Sequence, residues 1–375
     1  MSAKANAMRA QGVDVIPLSA GEPDFNTPEA VCDAAVEAIR HGFTKYTPSS
    51  GIPALKEAIA AKLKRENGVQ VEPNQVVVSC GAKHSMYNSA MVLLNPGDEA
   101  ILFAPYWMTY ADQVQLAGAT PVVVRTELAN GFVPDPDDLA RAITPKTRAI
   151  FLNSPSNPTG AVYPREVLKE IAALAIRHGI WVISDEIYDR LVYGVEHQSL
   201  AALGREVAEH TITVGGCSKT YAMTGWRIGF AAAPAPIAKA MSNFQDQVTS
   251  NPTSFAQKGA VVAFGLPPGE IETMRAEFEN RRNLIVEQLS AIPGVNVNTP
   301  SGAFYVLPDI SAYLGGEIKT DADLADHLLE HAKVATVPGS VFEGPGHLRL
   351  SYATSRQNIA EGVRRIAEAL AAIAP

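Results

Sequence analysis

Short apolar runs rich in β-branched residues recur through the first two thirds of the chain, and helical stretches separate several of them; this recurrence narrows the choice of fold more than any other feature. Gln75-Val76-Val77-Val78-Ser79 is short enough for a buried strand, Cys80-Gly81-Ala82 is its turn, and an amphipathic helix follows to Leu94. Further runs at 100–103, 121–124, 149–152, 181–184, 211–214 and 227–231 read the same way, with a helix over 164–178 among them. These runs do not alternate apolar with polar, so both faces of each strand need cover. That pattern predicts an α/β fold with a mostly parallel sheet between helices. Upstream, Asn26-Thr27-Pro28-Glu29 reads as an N-cap with proline in the first turn of a helix ending near Gly42, and a second helix runs from Pro53 to Asn67 with Gly68 as its C-cap. After Gly265 a long charged helix, mixed strands and a closing helix over 356–373 mark a smaller α/β lobe. The expected division is an arm and part of the small domain over 1–29, a large domain over 30–265, and a small C-terminal domain over 266–375.

A chain of 375 residues is long for one core. Its 47% hydrophobic and 19% charged residues suit a globular protein, and a net charge of −8 argues against nucleic-acid or membrane-surface binding. No apolar run is long enough to span a bilayer, and the opening residues have no signal-peptide core. Cys32, Cys80 and Cys217 are odd in number, far apart and without CxxC spacing, which points to a reduced cytoplasmic protein with neither disulfides nor structural zinc. His327 and His331, four apart on a helix, have metal-ligand spacing, but no third ligand is evident and no metal is expected.

The chemistry concentrates in Gly216-Cys217-Ser218-Lys219-Thr220-Tyr221-Ala222-Met223-Thr224-Gly225-Trp226-Arg227-Ile228-Gly229. A lysine follows a strand among small residues that admit a bulky planar group, and a sheltered lysine has the lowered pKa that Schiff-base chemistry needs. An arginine stands eight positions on. This segment resembles the pyridoxal 5′-phosphate (PLP) attachment signature of the class I, fold-type I aminotransferases, closest to the bacterial aspartate aminotransferases of the shorter subgroup. The resemblance implies that Lys219 carries PLP as a Schiff base and that Arg227 grips its phosphate. Where many relatives have a serine contacting that phosphate, this chain has Gly216.

The same resemblance runs from Gly21 to Arg349 with the motifs in order. It implies that Asp185, at the end of an apolar strand, pairs with the pyridine nitrogen, and that Tyr188 and Asn157 (in Asn157-Pro158-Thr159-Gly160) reach the 3′-oxygen. Gly81, Ala82 and Lys83, at a strand-to-helix turn suited to anions, would cradle the phosphate, and Trp107 would stack on the ring. Tyr46 would reach the phosphate of a neighbouring subunit, which implies a homodimer with shared sites. Arg349 would clamp the substrate α-carboxylate with Asn157, against the backbone of Gly21, with Trp107 lining the substrate side; Lys83 would meet a distal carboxylate. Relatives carry an additional segment ahead of the position of Met1 that helps cover the substrate. The expected activity is PLP-dependent amino transfer between a small amino acid and a 2-oxo acid, aspartate and 2-oxoglutarate first, by a ping-pong cycle. Alternatives are an aminotransferase for alanine, aromatic amino acids or prephenate, or a PLP β-lyase of the same fold. A transcription regulator with an aminotransferase-like domain would need a DNA-binding domain ahead of it.

Overall fold

The structure, a computed structural model, describes residues 2–373. Met1 and residues 374–375, which fall within the expected outer domains, lie outside the described residues. A seven-stranded sheet forms the centre: β1 (Val76–Cys80), β2 (Glu99–Ala104), β3 (Thr120–Arg125), β4 (Thr147–Asn153), β5 (Trp181–Asp185), β6 (Thr211–Gly216) and β7 (Ile228–Ala232). Their spatial order is β1-β7-β6-β5-β4-β2-β3. All neighbours are parallel except β7, which runs antiparallel to both β1 and β6. Each expected strand is present to within a residue or two. Arg227 is the informative discrepancy: it lies outside β7 with φ 56°, so the chain turns there and the guanidinium leaves the sheet.

Val76, Val77 and Val78 are all buried, because helices cover both faces of the sheet. Val77 packs with Met86 and Met241 on one side, and Val76 and Val78 pack with Leu55, Ile59 and Phe264 on the other. Each such side chain contributes about 1.5–3 kcal/mol of burial free energy. The helix after the first expected cap spans Glu29–Arg40, and Pro28 stands at the N-cap without a side-chain capping bond. Thr27 is spent elsewhere. Its hydroxyl donates to the Ala222 carbonyl at 2.8 Å and accepts from Trp226 Nε1 at 3.0 Å, fastening this entry to the Lys219 loop. The second helix, Pro53–Lys62, ends in a π turn over Leu63–Asn67, with Gly68 left-handed at φ 69° as expected of a C-cap glycine. Two helices that the pattern does not announce, Ala235–Val248 and Ser254–Gly265, complete the cover.

A second core gathers around an antiparallel sheet of β8 (Tyr305–Val306), β9 (Val337–Pro338) and β10 (Leu348–Ser351), ordered β9-β10-β8. The helices Pro268–Ser290 and Arg356–Ile373 pack on it through Phe278, Ile285, Ile359 and Ile366. Ile16 and Leu18 join the same core, and Ile16–Pro17 pairs in parallel with Val334–Ala335. Among the described residues no helix is long and apolar enough to cross a membrane.

Candidate active site

The C-terminal ends of the parallel strands, where a doubly wound sheet carries its ligands, open into a cavity of about 670 Å3. Strand β5 ends in Asp185, β6 leads into Ser218 and Lys219, and the turn after β1 leads into Ala82 and Lys83. The small lobe contributes Tyr305 and Arg349, and the N-terminal segment contributes Ser19, Gly21 and Glu22. Gly21, Ala82, Lys83, Trp107, Asn157, Asp185, Tyr188, Lys219, Arg227 and Arg349 therefore line one space, although up to 328 residues of sequence separate them. Tyr46 is elsewhere, with 90% of its surface exposed.

The Lys219 ammonium donates to the Gly21 carbonyl. Burial pulls its pKa down to about 8; Glu22 opposes the shift, while Arg349 and Arg227 add to it. Roughly a tenth of this amine is thus unprotonated, and nucleophilic, at pH 7. Asp185 is buried, and burial pushes its carboxyl up to about 6. Tyr110 opposes that rise by donating to Oδ2 at 2.7 Å, as does the Ile187 backbone N–H, which donates to Oδ1 at 3.2 Å. Asn153 ties the same strand end to the Asn157 turn. Its side-chain N–H donates to the Asp185 carbonyl at 2.9 Å, and its Oδ1 accepts from the Asn157 backbone at 2.8 Å.

Gly81 is left-handed at φ 85°, and a Cβ there would overlap the Arg227 guanidinium. The glycine therefore lets that guanidinium lie against the N-terminus of the helix Ala82–Leu93. Arg227 is held by a 2.9 Å bond from Nη1 to the Thr224 carbonyl, with no carboxylate in that contact. A guanidinium beside a helix N-terminus forms an anion site. Gly216 also has a local cause: a Cβ there would come within 2.9 Å of both Gly229 Cα and the Ile228 carbonyl, so a serine does not fit this backbone.

Arg349 is buried on β10. Its Nη1 donates to Asn157 Oδ1 at 3.0 Å and its Nη2 to the Ser19 carbonyl at 3.1 Å, while its Nε finds no partner among the described residues. The Tyr305 ring lies 4.5 Å and the Phe342 ring 5.0 Å from its guanidinium carbon. A buried cation solvated by neutral groups is suited to an incoming carboxylate. Lys83 places its ammonium 4.7 Å over the Trp107 ring, and its carbonyl accepts from Gln113 at 2.9 Å.

Tyr110 and Tyr305 were not singled out from the sequence. Tyr110 falls three residues after Trp107, its backbone N–H bonds the Trp107 carbonyl at 3.0 Å in the turn that opens the helix Thr109–Leu116, and the two rings meet edge-on at 5.5 Å; that spacing was an available signal. His327 and His331 have ring centroids 4.5 Å apart, and among the described residues no group of three His, Cys, Asp or Glu side chains is placed to hold a metal. What the cavity offers instead is the Lys219 amine, the buried Asp185 carboxylate and the Arg227 and Arg349 guanidiniums, with Arg9, Glu22 and Lys83 also on its lining. This donor set fits PLP: a cation and a helix start for its phosphate, an anion for its ring nitrogen, an amine for its aldehyde, and a separate guanidinium for a substrate carboxylate.

Residues 13–366 match the family model of aminotransferase class I and II, and the chain belongs to that family. It is 48% identical over 369 residues to the aspartate aminotransferase of a Bacillus species (strain YM-2), covering 98% of this chain and 94% of that one. It is 49% identical over 376 residues to the probable aspartate/prephenate aminotransferase of Aquifex aeolicus, covering 99% and 94%. The aspartate aminotransferase of Thermus thermophilus solved with maleate superposes with a TM-score of 0.94 at 46% identity, over 98% of this chain and 95% of that one. The fold is thus that of the fold-type I enzymes, and the protein is a PLP-dependent aminotransferase acting on amino and 2-oxo acids.

Proposed function

We propose that this enzyme moves the amino group of aspartate to 2-oxoglutarate in two half-reactions. The observation that carries the reading is that, among the described residues, two of the cations lining the cavity have no carboxylate bound to them: Arg349, buried and bonded only to neutral partners, and Lys83, held over Trp107. Aspartate and 2-oxoglutarate each bring two carboxylates. The solved Thermus relative is described with maleate, another dicarboxylate, which supports the same preference.

PLP bound in the cavity supplies an aldehyde and an electron-accepting ring. Arg227, with the backbone of Gly81, Ala82 and Lys83, would hold its phosphate. Asp185 would pair with the ring nitrogen, Trp107 would stack on the ring, and Tyr188 and Asn157 would serve the 3′-oxygen. Arg349 and Asn157 would hold the substrate α-carboxylate beside Gly21 and so orient the substrate for proton removal at Cα. Lys219 Nζ then takes the Cα proton and later returns a proton, acting as base and then acid. Its lowered pKa suits both roles near neutral pH.

Tyr46 supports a dimer. It is an aromatic side chain 90% exposed in a single chain, and in our reading it completes the phosphate site of a second copy. The packing of Ile16 and Leu18 with Phe278 supports assigning 1–29 partly to the small domain, with 30–265 as the large domain and 266–375 as the rest. Three free cysteines support a cytoplasmic setting.

The test is a cofactor spectrum followed by an amino-donor panel with 2-oxoglutarate. The protein should show the visible absorption of lysine-bound PLP, Lys219→Ala should abolish it, and aspartate should lead the panel. A prephenate-type acceptor belongs in the panel because the Aquifex relative is named for both substrates. An unchanged Lys219→Ala spectrum, or a preference for alanine over aspartate, refutes the reading.

A further inference from the structure

Tyr305 lies at the junction of the two lobes and has no part in the roles assigned above. Its hydroxyl is 3.0 Å from the Tyr188 hydroxyl, and both side chains are buried. Phe304 stands edge-on to the Tyr188 ring with centroids 5.5 Å apart, and the Tyr305 ring itself stands edge-on at 5.9 Å, so Tyr188 has little room to swing away. On its other side the Tyr305 ring faces the Arg349 guanidinium.

Two phenols hold two protons, and only one proton fits between their oxygens. If Tyr188 donates to Tyr305, its oxygen turns lone pairs toward the cavity, where they repel an anionic ligand oxygen. If Tyr305 donates, the Tyr188 proton is left to point into the cavity. The neighbouring charge decides between these arrangements. A guanidinium against the Tyr305 ring withdraws electron density from its hydroxyl, making that hydroxyl the better donor and its oxygen the poorer acceptor. Burial raises both phenols above their usual range, Tyr188 the further, and the Arg349 guanidinium opposes the rise at both; at Tyr305 it is the largest effect after burial.

We propose that Tyr305 is a positioning residue: it donates its proton to the Tyr188 oxygen and so commits the Tyr188 proton to the 3′-oxygen of the cofactor. The proposal rests on the assignment of Tyr188 to that oxygen. In a chain of two hydrogen bonds each strengthens the other, so loss of the first weakens the second without removing it.

The experiment is a pH titration of the visible absorption of the bound cofactor in Tyr188→Phe, Tyr305→Phe and the double variant. A hydrogen bond to a charged oxygen favours the ionised form, so Tyr188→Phe should move the titration up by about one to two pH units. Tyr305→Phe should move it the same way by about a tenth to a third as much, and should add nothing in the Tyr188→Phe background. Difluorotyrosine in place of Tyr305, a stronger donor of the same shape, should move it down, which a purely structural role does not produce. Tyr305→Phe keeps its ring against Arg349, so the aspartate KM should stay within about twofold while kcat falls. If Tyr188→Phe shifts the titration and Tyr305→Phe does not, the inference is wrong and the site assignment stands. If Tyr188→Phe causes no shift, the Tyr188 assignment fails and takes the inference with it. A further shift in the double variant shows that Tyr305 acts by another route, and also overturns the proposal.

Discussion

Asp185→Asn should stabilise the cofactor-free protein while weakening its hold on the cofactor, and the size of the effect follows from the burial of this carboxyl. Burial raises the Asp185 pKa from 3.8 to about 6, against the opposing bonds from Tyr110 and Ile187. A shift of roughly two units is worth about 3 kcal/mol. Its sign follows from proton binding. Below the unfolded value of 3.8 the carboxyl is neutral in both states and costs nothing. As pH rises toward about 6, the folded state keeps a proton that the unfolded state has released, so stability falls. Above about 6 the buried charge exerts its full cost. Asparagine is nearly isosteric and does not ionise. The apo variant should therefore gain on apo wild type between pH 4 and pH 7, by up to about 3 kcal/mol. Urea unfolding of both apo proteins across that range, followed by cofactor binding measured by fluorescence, tests this. With PLP bound the order should reverse, because only the wild type offers the ring nitrogen an anion. Parallel stability curves for the two apo proteins would refute the account of the carboxyl, and equal PLP affinity would refute its assignment to the ring.

Tyr110→Phe removes the 2.7 Å donor to Asp185. A bond to a charged group is worth about 1.5–3 kcal/mol, so the acid limb of PLP affinity against pH should move up by about one to two units; an unmoved limb rejects the role. Lys83→Ala should raise the aspartate KM by about 10- to 100-fold and leave that for alanine unchanged. An unaltered aspartate-to-alanine ratio means that the distal carboxylate is met elsewhere. Gly81→Ala places a Cβ into the Arg227 guanidinium at a left-handed backbone position and should weaken PLP binding at least about tenfold, read by equilibrium dialysis. Retained affinity would mean that Arg227 is not the phosphate anchor.

The strands were legible because each is a compact apolar run covered on both faces, which leaves little freedom in register or length. Their direction was not. Ile228–Ala232 reads like its parallel neighbours yet runs antiparallel to both, since burial on two faces carries no mark of orientation. The helix Ser254–Gly265 escaped notice for a related reason: it buries Ala256, Gln257, Gly259, Ala260 and Ala263, and small residues with a glutamine among them make no apolar stripe. Gln257 is buried because its side-chain N–H groups bond Thr47 Oγ1 at 3.0 Å and the Pro252 carbonyl at 2.9 Å. Such tertiary partners are invisible to periodicity. Thr27 misled for the same reason, since its hydroxyl serves Ala222 and Trp226 in place of a helix start.

The site was legible to the extent that its residues carry charge. Lys219, Asp185, Arg227 and Arg349 are costly to shelter, and the contacts they make to this chain go largely to neutral groups: the Gly21 carbonyl, the Tyr110 hydroxyl, the Thr224 carbonyl, and Asn157 with Ser19. A cofactor that is anionic at its phosphate and cationic at its ring nitrogen, with a carboxylate substrate beside it, supplies the missing counter-charges. The sequence shows those charges in recognisable motifs, and the fold then shows that their direct hydrogen bonds among the described residues go to neutral groups, with Glu22 and Asp185 acting on Lys219 only from a distance. Tyr110 and Tyr305 are neutral, belong to no charged motif, and touch charged groups from outside. Their part is to orient a lone pair or a proton at distances of 2.7 and 3.0 Å, so they become visible only when hydrogen-bond partners are counted atom by atom. Saturating PLP should accordingly raise the stability of this protein in proportion to the logarithm of cofactor over its dissociation constant, and variants of the four charged residues should lose that gain before they lose the fold.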